Sequence, residues 1–126
     1  MQSSSAILIF GKDSHLLDTR CWVLQRAGHR AWPATELSDF GYVGPSEGFD
    51  LVILCHSLSK EQRRRAIILA EALWPGVQTM VLMSWPSGYD PGPKGHPVDA
   101  SEGPEKLLKA VEILVGARSQ IHLRAA

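Results

Sequence analysis

The stretch that most constrains this chain is Asp50-Leu-Val-Ile-Leu-Cys-His-Ser-Leu-Ser59. Four consecutive apolar residues, Leu51 to Leu54, follow a Gly-rich segment and stop at Cys55-His56. A run this short, bounded by turn signals, predicts a strand buried on both faces, as in a parallel sheet. Residues just past the carboxyl end of such a strand face the ligand crevice. Cys55, His56 and Ser57 therefore fall where this architecture places its chemistry.

The other elements follow the same alternation. Ala6 to Phe10 reads as a buried strand, and Gly11-Lys12-Asp13 turns off its end. Asp13 or Ser14 caps a helix running to Ala27, which Gly28 closes. Leu17, Cys21 and Leu24 give that helix one apolar stripe, which makes Cys21 a core filler. His29 to Ala34 is a weaker strand, and its Pro33 suits an edge position. Thr35 is expected to cap a short helix through Phe40, with Gly41 to Gly48 as loop. Ser59-Lys-Glu-Gln62 is a capping box, opening a helix with Ala66, Ala70 and Leu73 on one face. Arg63, Arg64 and Arg65 in its first turns read as a solvated face. Val77 to Met83 is the fourth strand.

Ser84 to Pro97 holds four Pro and three Gly in 14 residues, so no regular helix fits there. Val98-Asp99-Ala100 is a short fifth strand. Pro104 opens the last helix, striped by Leu107, Leu108, Val111, Leu114 and Val115 and expected to end at Gly116. These readings give a single domain over residues 1–126, with its core at about 5–116 and a tail at 117–126. Five strands alternating with helices predict a right-handed, doubly wound α/β domain. At this size the flavodoxin-like parallel order 2-1-3-4-5 is the natural choice, with the fourth helix shortened or replaced by the Pro/Gly loop.

Composition sets further bounds. Thirteen basic and thirteen acidic side chains cancel, which argues against a general nucleic-acid or membrane surface. Two cysteines give no disulfide framework, and no segment has the form of a signal peptide or transmembrane helix. A cytoplasmic protein with reduced thiols is expected. His15, His29, His56, His96 and His122 show no zinc-ligand spacing beyond the adjacent Cys55-His56 pair, so no metal site is read from them. For Cys55 as a nucleophile, His56 is badly placed as its base, because neighbours on a strand point to opposite faces. The sixth residue after Cys55 is Glu61, so the Cys-x5-Arg phosphatase loop is not matched, and no phosphate-binding Gly-rich loop is present.

Three stretches together resemble the receiver domain of two-component response regulators. Ile7-Leu-Ile-Phe-Gly-Lys-Asp13, with Leu16-Leu17 and Arg26-Ala-Gly-His29, is similar to that family's first strand, acidic turn and first helix. Gly48-Phe-Asp-Leu-Val-Ile-Leu-Cys55 resembles the segment ending in the phosphate-accepting Asp, and Gly103-Pro-Glu-Lys-Leu-Leu108 the start of the last helix. The resemblance implies a signalling domain in which an Asp carboxylate accepts a phosphoryl group. Mg²⁺, held by an acidic pair, assists, and a Ser or Thr and a Lys hold the oxygens. Here the acceptor position is Cys55, and the acidic pair becomes Gly11-Lys12 with only Asp13 beside it. The hydroxyl position aligns with Met83, next to Ser84, and the Lys position falls near Ala100. The resemblance therefore implies a degenerate receiver, or pseudo-receiver, in a bacterial phosphorelay, without Mg²⁺ and without phosphorylation. Its expected role is protein interaction with a histidine kinase, another receiver or a second copy of itself, through a surface that includes Trp85 and Tyr89. The alternative, from a different class, is a small-molecule or thiol redox enzyme using Cys55 in the same crevice.

Overall fold

The computed structural model describes residues 5–45, 48–83, 96–99 and 104–125, with residues 83, 96–99 and 116–125 described by backbone alone. Ser84, Trp85, Tyr89 and Ala100, and the expected replacement of the fourth helix, lie outside the described residues.

Strand β1 (Ala6–Phe10) leads to helix α1 (Ser14–Arg26), strand β2 (Arg30–Ala34) and a single 3-10 turn (Leu37–Gly41). Strand β3 (Leu51–Leu54), helix α2 (Lys60–Leu73), strand β4 (Gln78–Met83), strand β5 (His96–Asp99) and helix α3 (Pro104–Ala125) follow. All pairings are parallel, in the spatial order β2-β1-β3-β4-β5. Phe10 pairs with both Ala34 and Leu54, so β1, β2 and β3 end level. The residues after β1 and β3 are thereby brought side by side at one edge.

Side-chain alternation along the strands divides the core in two. Ile7, Ile9, Leu51, Ile53, Met80 and Leu82 meet Leu17, Cys21 and Leu24 of α1 and Leu107, Val111 and Leu114 of α3. Cys21 is thus the core filler its spacing implied. Ala6, Leu8, Phe10, Val52, Leu54 and Val81 face the other way, toward Phe40, Phe49 and the α2 residues Ala66 and Ala70. Burial of each such Leu or Ile is worth about 1.5–3 kcal/mol. Pro33 lies in β2, an outer strand, where a residue without an N–H is tolerated.

Caps written in the sequence form as expected. Asp13 Oδ1 accepts from the N–H groups of His15 and Leu16 at 3.1 and 3.2 Å. Ser59 and Gln62 close a reciprocal capping box at 2.8 and 3.1 Å. Glu61 pairs with Arg64 and Arg65 on the exposed side of α2.

Four readings are corrected. Between β2 and β3 the expected helix is only the 3-10 turn, and Glu36, not Thr35, stands before it. The space beside it is filled by a chain of aromatic rings, Phe10–Phe40–Trp74–Phe49–Trp32, with neighbouring centroids 4.8 to 6.0 Å apart. The loop lies on those rings so closely that a Cβ on Gly48, at φ +88°, would stand 2.5 Å from the Trp74 ring. Leu73, expected in the buried stripe of α2, is exposed, because Trp74 at the helix end takes the contacts with Phe40 and Phe49 instead. Strand β5 is His96–Asp99, and so begins before Val98. Gly116 does not end the last helix, which runs on to Ala125. An internal Gly costs a helix only about 1 kcal/mol, and Ala117, Arg118, Gln120, Leu123 and Arg124 are good helix formers that offset it. Among the described residues no helix is long and apolar enough to cross a membrane.

Candidate functional site

The level ends of β1 and β3 place Gly11, Lys12 and Asp13 against Cys55, His56 and Ser57. Backbone bonds tie the end of β1 to both of its neighbours, β3 and β2. The Cys55 N–H donates to Phe10 O at 2.9 Å, and the Gly11 N–H donates to Ala34 O at 3.1 Å. At Gly11 the two loops nearly touch. A Cβ there would stand 2.9 Å from the Cβ of Cys55, 3.1 Å from its Sγ and 3.3 Å from Ser57 Oγ. Any side chain at position 11 would have to displace Cys55.

Lys12 fastens the same pair of loops and then turns away from them. Its N–H donates to Ser57 Oγ at 3.0 Å. Its Nζ donates to Thr35 O at 3.1 Å and lies 3.8 Å from Glu36 Oε1, beyond the end of β2. The ammonium group therefore belongs to the β2 corner and not to the crevice beside Cys55. Asp13, the one acidic residue of the turn, has its Oδ1 committed to the first N–H groups of α1.

Cys55 is 2% exposed. Burial pushes its thiol above the ordinary value; Arg20 opposes that rise and Asp13 adds to it. At neutral pH the sulfur is therefore a protonated thiol, which is a poor nucleophile and a poor metal ligand. His56 is held below its ordinary value by burial and by Arg20, so its ring is neutral at pH 7. Its Nδ1 and the Nη1 of Arg20 are both buried and have no hydrogen-bond partner among the described residues.

Arg20 is the site residue that the sequence reading missed. It lies on α1 between the buried Leu17 and Leu24, on the flank of their stripe. Helical side chains lean toward the helix N-terminus, which here is the crevice end, so its guanidinium reaches Cys55. The available signal was an arginine three residues after Leu17 and one before Cys21, too close to the apolar stripe for a wholly solvated face. Ser57 was placed at the crevice by the strand-end argument, but its bond to Lys12 depends on the register of β1 with β3.

Of the positions singled out by sequence, Gly11, Lys12, Asp13 and Cys55 are brought together. Met83 is the last residue of β4, with its backbone paired to Asp99. Ser84, Ala100, Trp85 and Tyr89 lie outside the described residues.

No family model matches the chain, and no curated protein matches it. Solved structures do. A CheY-like response regulator receiver domain protein from Methanospirillum hungatei is 17% identical, covering 94% of this chain and 98% of its own, at a TM-score of 0.69. The signal receiver domain of an HD domain-containing protein from Pseudomonas fluorescens is 14% identical, covering 94% and 99%, at a TM-score of 0.75. A chemotaxis protein CheY4 from Vibrio cholerae is 15% identical, covering 89% and 99%, at a TM-score of 0.67. The fold is that of response-regulator receiver domains.

Proposed function

We propose that this receiver-fold domain is a pseudo-receiver: a bacterial, cytoplasmic signalling module that contacts a protein partner without being phosphorylated. Its partner would be a histidine kinase, another receiver or a second copy of the chain. The single observation that carries this reading is the closeness of Gly11 and Cys55. In a working receiver the turn after β1 supplies carboxylates and the end of β3 supplies an Asp. Here the first position has no room for a side chain and the second holds a buried, protonated thiol.

The Mg²⁺ ion that the family resemblance implies does not fit these residues. A hard cation asks for several oxygen ligands. Gly11 offers none from a side chain, Lys12 is itself a cation, Asp13 has an oxygen committed to α1, and Cys55 offers sulfur. Phosphoryl transfer relies almost wholly on positioning and charge stabilisation, so loss of these groups removes the reaction. The thiol-enzyme alternative is opposed by the raised pKa of Cys55 and by the absence of a described base directed at it. The Lys12–Ser57 bond instead ties the two loops together, and the Asp13 cap ties the first of them to α1, which suits a constitutive contact surface.

The test is incubation of the full chain with acetyl phosphate and Mg²⁺, followed by intact mass measurement. No phosphoryl adduct is expected. A stoichiometric adduct, labile in the manner of an acyl phosphate, would overturn the proposal.

A further inference from the structure

We draw no further inference here: the strongest candidate, the Arg20 and His56 side-chain cluster beside Cys55 at the crevice end of the sheet, with one buried nitrogen of each lacking a hydrogen-bond partner among the described residues, belongs to the site already described, and nothing in the structure shows what would meet those two atoms.

Discussion

Gly11 and Cys55 stand so close that a Cβ added to Gly11 would lie 2.9 Å from the Cβ of Cys55. The contact joins the ends of two central, fully buried strands, so neither partner can move aside without disturbing the sheet.

Replacing Gly11 with Ala tests that contact on stability. Forcing a methyl group into packed surroundings costs about 1–3 kcal/mol. Urea unfolding should show a lowered midpoint with an unchanged slope, since the compactness of neither state changes. A midpoint equal to the native protein's would mean that the loops separate freely.

Ser57→Ala removes the acceptor for the Lys12 N–H. The expected cost is about 0.5–1.5 kcal/mol, at the lower end because the bond is exposed to solvent. Hydrogen exchange at the Lys12 amide should quicken while that of Cys55, bonded to Phe10 O, stays slow. Equal acceleration at both would show that the strand end frays as one unit.

Burial raises the thiol of Cys21 from 9.0 to about 11. The folded state therefore holds this proton more tightly than the unfolded chain does. Its contribution to stability is full below pH 9, and is lost as the pH rises toward about 11. Urea midpoints measured across that window should fall, and fall less steeply in Cys21→Ala. The same slope in both proteins would remove Cys21 as the source.

Arg20 lowers the Cys55 thiol against the larger effect of burial. Arg20→Met should therefore raise that pKa further and slow alkylation of the folded protein at alkaline pH, with Cys21→Ala as the background. Faster alkylation, in a variant shown to be folded, would mean that Arg20 shields Cys55 sterically and does not act through its charge.

Much of this architecture was legible because local signals agreed with one another. The apolar runs Ala6 to Phe10 and Leu51 to Leu54, the Asp13 cap, the Ser59–Gln62 box and Pro33 at an edge each specify a conformation by themselves. The errors came where tertiary packing decided. Thr35 to Phe40 carries helix-compatible residues, but the rings of Phe49 and Trp74 occupy the space beside them and leave a 3-10 turn. Gly116 is a weak stop between strong helix formers. Leu73 has the right spacing for burial and loses its place to Trp74. At the site, the placing of Gly11, Lys12 and Cys55 at adjacent strand ends was readable, but their contacts were not. That Gly11 is required by Cys55, that Lys12 turns to Thr35 and Glu36, and that Arg20 reaches the thiol all depend on contacts between elements distant in sequence.

The most direct test of the unphosphorylated reading is the amide spectrum of the full chain during titration with Mg²⁺ and then beryllofluoride, a mimic of the bound phosphoryl group. The amides to follow are Gly11, Lys12, Cys55 and Ser57. These four should not move as Mg²⁺ is added, nor when beryllofluoride follows. Saturable shifts at Lys12 and Cys55, appearing only when both reagents are present, would show that a phosphoryl-binding site survives beside Cys55 and would contradict the pseudo-receiver proposal.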